Sequence, residues 1–195
     1  MIVNIDATVS GCTTCSGGPL NPDVALGTVV TLIKPVQITL DPGTYTITNA
    51  ATVNGVESGA NPAFLAWNFE AGNPSGFAWS FLVATDNGNG TGTMLKGDFV
   101  NSTFPTLTAA ASATGVQTFN YSTLLPSTLT AGFIDSMTLS KTTTLDFFSD
   151  DNFLSDNANG VALDVEAIPE PGTVSLLGVG VGLLAIGTRR PVGRQ

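Results

Sequence analysis

Apolar and polar residues alternate with a period of two along most of this chain. That spacing belongs to strands with one face in a core. Met1 to Asp6 sets Ile2 and Val3 among polar residues and looks like a first strand. Asp41-Pro42-Gly43 is a turn, and Thr44-Tyr45-Thr46-Ile47-Thr48 follows with Tyr45 and Ile47 on one face and threonines on the other. Phe64 to Glu70 puts Leu65, Trp67 and Phe69 on one face. After the turn Asn73-Pro74-Ser75-Gly76, the residues Phe77, Trp79, Phe81 and Val83 share a face. Asp86-Asn87-Gly88-Asn89-Gly90 is a hairpin signal, and Thr93 to Val100 returns. Further strands are expected at Val116 to Leu124, Gly132 to Asp135, Met137 to Thr144, Leu145 to Ser149 and Gly160 to Glu166. Ala109 to Ala113 reads as loop rather than a short helical turn, because threonines flank its alanines. The expectation is an all-β chain, a jelly-roll-like β-sandwich of about ten strands.

Composition agrees. With 22 Gly, 11 Pro and only 11% charged residues among many short apolar runs, the chain is unlike a disordered one. Fourteen of the 15 acidic residues and all three lysines (Lys34, Lys96, Lys141) precede Pro169, while Glu170 and three arginines follow it. Such an acidic body repels phosphate backbones, which excludes nucleic acid as a partner. With no His anywhere, the Ser-His-Asp triad and imidazole metal sites are also excluded.

Several residue groups carry candidate chemistry. Cys12-Thr13-Thr14-Cys15 fits a structural disulfide in an oxidising compartment. A thioredoxin-like site wants a following helix, and Ser16-Gly17-Gly18-Pro19 breaks one. A zinc site lacks its other ligands. Asp150, Asp151, Asp156 and Asp164, interleaved with asparagines, offer the oxygen ligands calcium prefers, though not at EF-hand spacing; a solvated loop is the plain alternative. Trp67 and Trp79 belong to an aromatic ladder that is either the core face of the sandwich or a glycan-stacking platform. If they are core, their N–H groups need threonine hydroxyls or backbone carbonyls as partners. The sequons at Asn89, Asn101 and Asn120 fit loops or strand ends.

The last segment is of another kind. Pro169-Glu170-Pro171-Gly172 leads into an apolar stretch, Val174 to Gly187, that stops at Arg189-Arg190. Val174, Leu176, Leu177, Val179, Val181, Leu183, Leu184 and Ile186 form the apolar set of a single transmembrane helix. Gly172 to Thr188 would reach roughly 25 Å as a helix, short for a hydrocarbon core of about 30 Å. Gly178 and Gly182 match a helix-pairing spacing. Arg189, Arg190 and Arg194 place the C-terminus in the cytoplasm, so the β domain faces outward.

This order of Pro169-Glu170-Pro171, Gly172, apolar helix and Arg189-Arg190 resembles the PEP-CTERM sorting signal of bacteria over about residues 168 to 195. The resemblance implies processing by an exosortase, a membrane transpeptidase that cuts near the Pro-Glu-Pro motif. It implies a membrane-anchored precursor and a mature form at the cell surface or in the extracellular matrix, in bacteria that make exopolysaccharide. Pro191-Val192-Gly193 dilutes the usual basic end. Met1 to Asp6 has no basic region, apolar region or cleavage site of a signal peptide, although export implies one.

The chain therefore divides into an acidic β-sandwich domain, residues 1–167, and a sorting signal, 168–195. The domain is expected to be structural, or a weak glycan- or calcium-binding module touching exopolysaccharide, and not an enzyme. The alternative is a secreted polysaccharide-acting hydrolase using paired carboxylates. No other cofactor is implied.

Overall fold

The computed structural model describes residues 1–15, 24–52, 54–100, 103–113, 118–120 and 133–169. Among these, fifteen strands follow in chain order. They are β1 (Ile2–Asp6), β2 (Gly11–Cys12), β3 (Val29–Ile33), β4 (Val36–Leu40), β5 (Gly43–Asn49), β6 (Ala51–Thr52), β7 (Gly55–Val56) and β8 (Trp67–Asn68). Then come β9 (Phe77–Ala78), β10 (Ser80–Gly88), β11 (Thr91–Val100), β12 (Thr118–Asn120), β13 (Phe133–Leu139), β14 (Thr143–Phe148) and β15 (Ala158–Ile168). One helix, α1 (Leu107–Ala113), lies between β11 and β12.

The strands build two antiparallel sheets, one of them curled into a half-barrel, and β6 and β7 pair alone. The first sheet runs β13-β5-β15-β8-β9, with β1 on the other edge of β15. The second runs β2-β3-β11-β10-β14-β4, with β12 added to β11. Between β4 and β5 the chain passes from the second sheet to the first, turning through Asp41-Pro42. Between β13 and β14 it passes back, through Ser140 to Thr142. Because β5 pairs β13 and β4 pairs β14, these crossings form one two-stranded ribbon folded over an end of the domain.

Alternation decides what lies between the sheets. Val3 and Ile5 of β1, Tyr45 and Ile47 of β5, and Val161, Leu163 and Val165 of β15 come from the first sheet. Phe81 and Val83 of β10 meet them from the second, with Leu145 and Phe147 of β14. The outer face of the second sheet is closed as well. There Leu82, Ala84, Met94 and Phe148 pack under Cys12, Cys15 and Val24. A third cluster, Ala50, Ala51, Ala60, Phe64 and Ala162, covers part of the outer face of the first sheet.

Four local expectations are corrected. Phe64 to Glu70 is not one strand with one face. Only Trp67 and Asn68 pair, and Leu65 packs in the third cluster, apart from Trp67 and Phe69. The stretch from 133 to 149 holds two strands, where three were expected over 132–149, because the break falls at the corner Ser140 to Thr142 where the ribbon changes sheets. Residues 107–113 are helical: the Thr106 hydroxyl oxygen accepts from the Ala109 N–H at 3.1 Å, and alanines propagate the turn. The last strand extends through Ile168, one residue into the segment assigned to the signal.

Candidate functional site

Asp150, Asp151, Asp156 and Asp164 do not gather around one point. Asp150 is fully buried. Asp151 folds its own loop: its backbone carbonyl accepts from the Cys12 N–H at 3.0 Å and its carboxylate from the Phe153 N–H at 2.8 Å. Asp156 closes a single 3₁₀ turn, Leu154–Asp156, and its carbonyl accepts from the Ala71 N–H. Asp164 lies away on β15, where its carboxylate meets the Met1 ammonium at 2.7 Å. Among the described residues no three His, Cys, Asp or Glu side chains come together to hold a metal ion. The calcium set expected from spacing is therefore not assembled, because its asparagines and aspartates serve loop geometry. Asn157, for example, donates to the Ala7 carbonyl at 2.9 Å.

The glycan platform is likewise corrected. Trp67 and Trp79 are both 0% exposed, inside the core between the sheets. Trp79 meets Phe81 edge to face, with ring centroids 5.6 Å apart. No ring face is left for a sugar. The expectation that their N–H groups find hydroxyl or carbonyl partners also fails: among the described residues neither indole nitrogen reaches an acceptor. Burial of the rings outweighs a cost of about 1–3 kcal/mol for each unmet donor.

Cys12 and Cys15 are joined in a disulfide, with Cα atoms 5.4 Å apart. Both are fully buried against Leu82, Ala84, Met94 and Phe148. On loop entropy a loop this small adds about 2 kcal/mol. Its place over the second sheet makes it a staple for the loop after β1, closed to an outside thiol.

One carboxyl stands apart. Asp146, on the outer face of β14, is fully buried and, among the described residues, takes one hydrogen bond, from the Gln37 amide at 2.8 Å, while its second oxygen has no partner there. Burial raises its pKa above the usual carboxylate range; Gln37 opposes this and the nearby Asp86 adds to it. Glu57 is raised as well, first by burial and then by Asp164. A raised folded-state value means the folded chain holds more protons than the unfolded one between the ordinary and the raised pKa. Stability therefore increases as pH falls through that window from neutral. Asp146→Asn keeps the shape and the Gln37 contact without the charge. We expect it to unfold at a higher midpoint at pH 7, by on the order of 1 kcal/mol, with a shallower gain on acidification to pH 5. A variant less stable than the parent at pH 7 would contradict this account.

A shallow groove of about 400 Å³ opens beside the folded-over corner. Thr85, Asp86, Asn87, Lys141 and Thr143 line it, with Leu139 as one of its few apolar walls. Periodicity gives no signal for this site, since its residues come from two hairpin ends that meet only when the ribbon folds. It offers hydroxyl, amide and single-charge contacts.

The end of β15 completes the picture. Ile168 pairs with Thr44, and exposed Pro169 follows directly. Glu170, Pro171, Gly172, Arg189, Arg190 and all the expected transmembrane residues lie outside the described residues. Within the described residues no helix is long and apolar enough to cross a membrane. The family model of the PEP-CTERM protein-sorting motif matches residues 167–190. That match implies an exported protein, carried to the cell surface and processed by an exosortase. No curated protein and no solved structure matches the chain.

Proposed function

We propose that this chain is a bacterial surface or extracellular-matrix protein whose β domain has a structural role without enzymatic activity. The observation that carries the reading is the PEP-CTERM motif, matched at residues 167–190 directly behind a mostly β domain. Until processing, the signal would anchor the precursor as a transmembrane helix with its C-terminus in the cytoplasm. The wrapped ribbon, with β4–β5 paired to β14–β13, supports a jelly-roll-like architecture. The acidic, hydroxyl-rich surface suits a hydrated exopolysaccharide matrix, and the corner groove gives a neutral sugar its hydroxyl and amide partners.

Against a hydrolase stands the chemistry of the two carboxyls with raised pKa values. Asp146 is fully buried and out of reach of a polymer, and Glu57 is exposed beside Asp164, whose carboxylate is taken by the Met1 ammonium. We expect the mature protein to fractionate with cell-surface polysaccharide and to release no reducing sugar from it. Turnover abolished by one carboxylate substitution would overturn the assignment.

A further inference from the structure

The sorting motif and the folded domain overlap. The match begins at Ala167, and β15 continues through Ile168. No linker separates the core from the Pro-Glu-Pro segment. An enzyme that takes this segment in extended form needs free backbone on both sides of it, yet the residues before Pro169 are already hydrogen-bonded to β5.

The last three residues of β15 are held differently from the rest. Between Gly160 and Asp164 the strand pairs with β1, and from Leu163 onward with β5. The Val165 N–H still donates to the Met1 carbonyl at 2.8 Å. Beyond it, among the described residues, the only paired strand is β5, where Glu166, Ala167 and Ile168 face Thr46, Tyr45 and Thr44. The Thr46 hydroxyl adds one bond to the Glu166 carbonyl at 3.4 Å. Burial changes at the same point: Val165 is 3% exposed and in the core, while Glu166, Ala167 and Ile168 are all exposed. Peeling these three residues withdraws no buried side chain of their own, bares only the flank of Tyr45 beside Ala167, and stops at Val165.

We propose that Glu166-Ala167-Ile168 is a detachable strand end, taken up by the membrane processing enzyme together with the sorting motif while the domain before it stays folded. Release frees about 10 Å of extended chain. That length lets the enzyme reach the motif without unfolding the sandwich. The inference rests on the sorting reading above.

The test clamps the strand end in the full-length chain. Thr44 and Ile168 are antiparallel partners, and such partners have Cα atoms about 4.5–5.5 Å apart, within disulfide reach. Processing of Thr44→Cys/Ile168→Cys is followed by chain size in a bacterium that has the enzyme, beside each single-cysteine variant. The clamped chain is expected to be processed at least about tenfold more slowly than either single variant. A six-residue Gly-Ser insert between Ile168 and Pro169, which supplies free chain of more than 10 Å, is expected to restore processing with the clamp still closed. Equal processing of clamped and single variants overturns the proposal, and so does a slow clamped chain that the insert fails to rescue. If the parent chain itself stays full length, the sorting reading falls and this proposal with it.

Discussion

Replacing Gly160 by alanine is expected to remove several kcal/mol of stability, a large share of the 5–15 kcal/mol typical of a domain. Gly160 lies in β15 where β1 crosses closest, paired with Asp6. A Cβ there would sit 2.0 Å from the Ile5 carbonyl oxygen, 3.0 Å from its carbon and 3.1 Å from Cδ2 of Phe64. The first two are backbone atoms of a paired strand, so no side-chain rotation relieves the clash. Strand β1 has to move away, and it carries Val3 and Ile5, both 1% exposed in the central core. Overpacking of this kind costs about 1–3 kcal/mol when side chains can adjust. With a backbone carbonyl in the way we expect about 4 kcal/mol or more. Urea unfolding measures it, with Gly55→Ala as the reference because a Cβ at Gly55 meets nothing within 4 Å. If the two variants unfold within about 1 kcal/mol of each other, the close approach of β1 and β15 is wrong.

Much of this fold was legible because period two survives wherever one face of a strand is buried. Tyr45 and Ile47 point inward from β5 with threonines outward, and Trp79, Phe81 and Val83 enter the core together, as alternation predicts. The Asp86 to Gly90 hairpin is present, with Asn89 at φ 58° and Gly90 at φ 74° forming its turn. Strands β3 and β4 lie outside the expected set, although Val36-Gln37-Ile38-Thr39-Leu40 alternates well. Lys34 and Pro35 turn the chain from β3, which lies between β2 and β11, to the edge strand β4. The aromatic ladder was ambiguous because stacking platforms and sandwich cores select the same residues. Only burial, which depends on the opposite sheet, separates the two.

The candidate site was legible in the reverse order. Its clearest part, the PEP-CTERM motif, is written in consecutive residues and so is read locally. The acidic patch misled because aspartates and asparagines are also turn residues. The Asp151 carboxylate serves its own backbone two residues on, as such side chains do in loops. The corner groove could not be read at all. Residues 85–87 and 138–144 come together only through the fold of a ribbon, and no spacing records that.

The strongest effect on sorting is expected from Glu170→Ala and from Arg189→Gln/Arg190→Gln, and the two should fail differently. The apolar stretch from Gly172 to Thr188 reaches only about 25 Å as a helix and carries Gly178, Gly180 and Gly182. As the proposed membrane anchor, a segment this short and glycine-rich would be marginal. Its retention would then depend on the flanking cations, which are costly to carry across the bilayer and would keep the C-terminus inside. Without Arg189 and Arg190 only Arg194 holds that side, so the chain should leave the membrane fraction unprocessed. Glu170 lies before the apolar stretch and does nothing for insertion. Its loss should leave a full-length chain in the membrane, correctly oriented but not cut. Fractionation combined with chain size separates these outcomes, with processed protein below about a tenth of the parent level in both. Normal processing of either variant would remove the sorting signal as the explanation for residues 167–190.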